Sequence, residues 1–129
     1  MIIGLLHFEL LVHDAESLKD KRRVVKSVKD RLHREHLAAV AEVGALDVLN
    51  RAVLAAAVVG TDGARIGATL DRISEKLRGW HGAELGFTRR ELIRPGRDDM
   101  PEAERLDTSA LAAEMLGYAD GGPGGGGNG

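Results

Sequence analysis

The residues with the plainest chemistry to offer are the cations crowded between Ser17 and Arg34. Lys19, Lys21, Arg22, Arg23, Lys26, Lys29, Arg31 and Arg34 face only Asp20 and Asp30 in that stretch. Pairs of opposite charge three or four residues apart stabilise a helix by roughly 0.2–0.5 kcal/mol each. Asp20 can pair with Arg23, and Asp30 with Lys26 or Arg34, but the remaining cations have no such partner within that stretch. Arg22 stands four residues from Lys26, and Lys19 four from Arg23, which is mildly repulsive. A charge run is ordinarily a solvated face; an excess this one-signed also suits a polyanion. The candidate nucleic-acid contacts are Lys19, Lys21, Arg22, Arg23, Lys26, Lys29 and Arg34. Several phosphate contacts would make affinity fall steeply with salt. No residue pattern reads base edges, so the expected mode is recognition of backbone and shape, as in structured RNA.

Other chemistry is thinly provided for. His7 and Glu9 share one side of a strand, and Glu42 and Arg51 can approach them across a sheet. A histidine with two carboxylates can bind a metal or move a proton, but polar residues on an open sheet face are ordinary. His33 and His36 stand three apart on a helix and call for the same caution. Ser17 reads as a helix cap and Ser27 as part of a charged face, so neither is a convincing nucleophile. Gly60-Thr-Asp-Gly63 precedes a helix and can offer free amides to an anion, without the basic partner of a phosphate loop. There is no cysteine, which excludes disulfides, thiolate catalysis and cysteine-ligated zinc. The expectation is a non-enzymatic protein with no catalytic, metal or cofactor site assigned.

The elements that must position these residues follow from periodicity. Residues 2–13 alternate: Ile2, Leu6, Phe8, Leu10 and Val12 on one side, with Gly4, and Ile3, Leu5, His7, Glu9, Leu11 and His13 on the other. Ser17 and Asp20 make a helix start. Leu18, Val25, Val28 and Leu32, widened by Val24, form an apolar stripe along a helix ending near His36. Ala38–Val43 and Arg51–Gly60 read as two strands joined by a short loop. The alanines of the second also favour helix, but Val58-Val59 and the terminating Gly60 tip it to strand. Thr61 or Asp62 caps a helix over Gly63–Arg78 with Ile66, Leu70, Ile73 and Leu77 inward; Gly63 and Gly67 allow close packing. Ala83–Ile93 is the last strand, with Leu85, Phe87 and Arg89 on one face and Glu84, Thr88, Arg90 and Leu92 on the other. The order βαββαβ folds most simply as an α+β ferredoxin-like sandwich, a four-stranded antiparallel sheet with two helices on one face.

Composition limits the rest. At 129 residues, with 18 Lys and Arg against 20 Asp and Glu, the chain is near neutral but unevenly charged. Residues 1–94 are read as the domain. Residues 95–129 are read as an acidic, glycine-ending appendage, with a short helix at 101–116 and a disordered end. A solubilising tail is the plainer account of that segment; the sharper one is that it covers the basic helix. Aromatic residues are scarce, which argues against a stacking platform for single strands. The opening apolar run is interrupted by His7 and Glu9 and lacks a basic lead, so neither a signal peptide nor a membrane span is expected. The sheet face left uncovered carries Ile3, Leu5 and Leu11, which favours a homodimer formed through it.

Ser17-Leu-Lys-Asp-Lys-Arg-Arg-Val-Val-Lys-Ser-Val-Lys-Asp-Arg-Leu32, Val40-Ala-Glu-Val43, Asp47 and Arg51-Ala52 together resemble the YlxP-like family of small bacterial proteins of unknown function. The opening strand is similar too, and the resemblance covers about residues 1–94. It implies a ferredoxin-like fold and a cytoplasmic protein. Genes of that family often sit among those for translation initiation and ribosome maturation, which implies association with RNA or a ribosomal particle. The segment Gly44-Ala-Leu-Asp-Val-Leu49 departs from the family pattern, which is more polar and aromatic there. The acidic tail is not carried over from the family. The leading expectation is an accessory protein that binds RNA or a ribosomal particle through the basic helix. The alternative is a small regulatory domain that binds a metabolite or a protein through the open sheet face.

Overall fold

The computed structural model of the chain describes residues 1–96. The opening alternation becomes strand β1, Ile2–Leu11, whose Gly4, Leu6, Phe8 and Leu10 are buried while the residues between them are only partly covered. Helix α1 runs Leu18–His36, and the Ser17 hydroxyl accepts from the Asp20 amide at 3.1 Å. Strands β2, Ala39–Gly44, and β3, Arg51–Gly60, follow as a hairpin. Helix α2, Gly63–Arg78, is capped by the Asp62 carboxylate, which accepts from the amides of Ala64 and Arg65. Strand β4 is Glu84–Ile93.

The four strands form one antiparallel sheet in the order β2-β3-β1-β4, with both helices against one face: the ferredoxin-like α+β sandwich. Met1–Arg94 makes one compact unit. Leu6, Phe8 and Leu10 of β1, Leu54 of β3, Val28 and Leu32 of α1, and Leu70, Ile73 and Leu77 of α2 are fully buried between the layers. Each such side chain contributes about 1.5–3 kcal/mol from removal of apolar surface from water. The close approach of α2 to the sheet rests on Gly4, and of the helix's own glycines only Gly63 is tightly packed, where a Cβ would meet the Arg94 guanidinium at 2.7 Å. A Cβ at Gly4 would collide with Ile66 Cγ2, whereas one at Gly67 would meet nothing nearer than 4.0 Å.

The last strand differs from the simple alternation expected of it. Phe8 pairs with Thr88, but Leu10 pairs with Leu85, so Gly86 and Phe87 together oppose Glu9. That bulge adds one residue to β4 and reverses which side its residues face. Leu85 therefore joins Leu92 against the core, while Phe87 is on the open face and 46% exposed. A second irregularity, between Glu42 and Gly44, shifts the register of β2 on β3 by one residue, and Gly44 pairs with Val53 beyond it. No helix among the described residues is long and apolar enough to cross a membrane. The helix expected at 101–116 and the glycine-ending segment lie outside the described residues.

Candidate nucleic-acid interface

Helix α1 lies over the sheet with Lys21, Val25, Val28 and Leu32 inward. Lys19, Arg22, Arg23, Lys26, Lys29 and Arg34 are all exposed on its other sides. Lys26 pairs with Asp30 at 2.7 Å, and Arg23 stands 3.7 Å from Asp20, but both cations remain at least 70% exposed. The Lys26 ammonium holds the Asp30 carboxyl below its ordinary range, with Lys29 and Arg34 adding to the effect. Lys19, Arg22, Lys29 and Arg34 have no described carboxylate within ion-pair distance. Arg22, Lys26 and Lys29 also form the rim of a shallow groove of about 460 Å³ with Val25, Asp30 and Glu42, beside edge strand β2.

Lys21 must be withdrawn from the expected contacts. It is 1% exposed, and its Nζ donates to the carbonyl oxygens of Ala45, Leu46 and Arg51 at 2.8, 3.2 and 3.3 Å. Glu42 Oε2 stands 2.9 Å from the same nitrogen, off the line of a good hydrogen bond, so that contact is mainly coulombic. An ammonium so enclosed is a tie between α1 and the two ends of the β2–β3 connection, and cannot reach a phosphate. The signal was present in the spacing. Leu18, Lys21, Val25, Val28 and Leu32 step by three, four, three and four, so Lys21 fills the gap in the buried stripe.

The sheet gathers part of the other polar set. Arg51 Nε donates to the Glu9 carboxylate across the β1–β3 pair. That guanidinium, followed by the Phe87 amide, holds the Glu9 carboxyl below its ordinary range against the opposing effect of burial. Glu42, expected to join them, turns to the helix side and to Lys21. His7 lies between Ala55 and Arg89 with its Nδ1 buried and unpaired. Among the described residues no group of three or more His, Asp or Glu side chains converges to hold a metal ion. His33 Nδ1 is 3.3 Å from the Ala38 carbonyl and closes the end of α1. His36 is partly buried, with Nε2 unpaired; burial, then Lys76, push its pKa below the ordinary 6.5.

One neighbour of the basic face was missed. Arg31, left out of the expected contacts, turns towards α2, and its guanidinium lies 5.4 Å from the centre of the Trp80 ring. The turn after α2 brings Trp80 there, a placement between distant segments that no local spacing announces.

The chain matches the family described as Protein of unknown function (DUF503) over residues 3–90. It is 28% identical over 90 residues to the Uncharacterized protein YlxP of Bacillus subtilis (strain 168), an alignment that covers 70% of this chain and 98% of that protein.

Proposed function

The chain belongs to the DUF503 family of proteins of unknown function, and from that premise we propose that it is a non-enzymatic accessory protein that binds structured RNA, free or in a ribosomal particle, through the outward face of α1. The observation that carries this reading is the set of exposed cations Lys19, Arg22, Lys29 and Arg34, none held by a described carboxylate. They extend over about 22 Å of helix, at 1.5 Å per residue. Cations that are neither buried nor neutralised contribute little to folding, whereas a phosphate backbone would release counterions on meeting them. Binding by backbone and shape needs no base-reading pocket.

The test is binding of a folded stem–loop RNA by the full chain and by the variant Arg22→Glu/Lys29→Glu, with circular dichroism to show that the fold persists. The expected result is a loss of tenfold or more in affinity with an unchanged spectrum. Equal affinity in the two proteins would remove the basic helix from the account.

A second reading places another copy of the chain on the open sheet face. Val59 and Phe87 are 66% and 46% exposed there, apolar surface that a second copy would cover. Light scattering at high protein concentration decides it; a clean monomer eliminates the dimer.

A further inference from the structure

The two helices enclose a groove of about 560 Å³ lined by Ser27 and Arg31 of α1, Glu75 and Lys76 of α2, and Gly79, Trp80 and His81 of the following turn. Its composition differs from the rest of the surface. It combines an aromatic ring, two cations, a histidine, a hydroxyl and a carboxylate. The floor is open, since a Cβ on Gly79 would meet nothing within 4 Å. Trp80 is half-buried and packs against the core, so its ring is held in place rather than free in solvent.

We infer that this groove receives an unpaired nucleotide of the RNA, its base stacked on the Trp80 indole; the inference rests on the RNA-binding reading above. The groove is continuous with the basic face. Arg23 lies four residues before Ser27, and Arg34 three residues after Arg31, so both flank it along α1. A backbone that follows those cations passes the groove mouth.

The ring face is already used for the right kind of contact. The Arg31 guanidinium sits over it at 5.4 Å, in the place a stacked nucleobase would take. Arg31 is 49% exposed and is held to Glu35 by one contact at 3.3 Å. Glu35 also takes Lys76, so releasing Arg31 does not leave that carboxylate unpaired. An exposed pair of this kind is weak, and the guanidinium can turn from the ring to the incoming phosphate at small cost. Lys76 and His81 stand beside the same opening, and the Glu75 carboxylate, one oxygen of which accepts from Arg78 Nη1 at 3.1 Å, keeps the other as an acceptor for a base amino group. Stacking with few base-specific contacts predicts tolerance of sequence but a demand for an unpaired nucleotide.

Trp80 is the chain's only tryptophan, so its emission reports on the groove alone. The experiment titrates the full chain with a stem–loop RNA carrying an unpaired loop, and separately with the blunt duplex of the same stem. The stem–loop should quench the emission by half or more, while the duplex binds in a salt-dependent manner and leaves it unchanged. Trp80→Leu should weaken stem–loop binding about tenfold and spare duplex binding; Trp80→Phe, which keeps a stacking ring, should restore most of the loss. Stem–loop binding without quenching by the unaltered protein overturns the groove assignment and leaves the basic helix standing. Binding of neither RNA overturns both.

Discussion

Lys21 shows how little a charge reveals about its place until the fold is known. Among the cations of α1 it alone is enclosed, because its position belongs to the buried stripe and its long stem can carry the ammonium to the β2–β3 connection. Removing it leaves the mostly buried Glu42 carboxylate and three part-buried carbonyls without their ammonium, which is more costly than losing an exposed cation. Lys21→Met should therefore lower stability by roughly 2–4 kcal/mol in urea denaturation. Adding Glu42→Leu should recover much of that, whereas Lys19→Ala should stay within about 0.5 kcal/mol of the parent. His36 makes a second prediction at this scale. Its folded pKa lies below the unfolded 6.5, so the unfolded chain binds more protons and stability falls as pH falls through that window. Melting temperature should decline from pH 7 to pH 5 in the parent, and His36→Gln should flatten the decline. The Glu9, Asp30 and Glu35 carboxyls are also held below their ordinary ranges, so their contributions are lost only further into acid.

At the scale of elements, periodicity located every helix and strand among residues 1–96, because each turns one apolar side to a common core. It failed where a strand adds a residue. The bulge at Gly86 and Phe87 reverses the facing of β4, and alternation carries no mark of the reversal beyond the glycine itself. The same glycine has a packing role. A Cβ at Gly86 would run into the Glu9 carboxylate, which Arg51 and the Phe87 amide hold in place. Gly86→Ala should destabilise the fold by about 1–3 kcal/mol, as overpacking does. In a Glu9→Ala background the same change should cost far less, a coupling that a double-mutant cycle measures. Had Gly86 served only to relax the backbone, the two effects would add.

For the whole molecule, the sequence made the sandwich legible and the basic face nearly so. Six of the seven expected cations are exposed on α1, and the seventh is taken up by carbonyls of a distant loop. The Trp80 groove was illegible for the same reason, since it joins the middle of one helix to the turn after the other. What unites these features is one surface on which flexible positive side chains outnumber the carboxylates that could neutralise them. The measurement that bears on this most directly is the slope of the logarithm of RNA affinity against the logarithm of salt, for the parent and for Arg22→Glu/Lys29→Glu. The account predicts a steep negative slope for the parent, shallower by about 1 for each phosphate that the variant no longer neutralises. Identical slopes, or a parent affinity indifferent to salt, would contradict it.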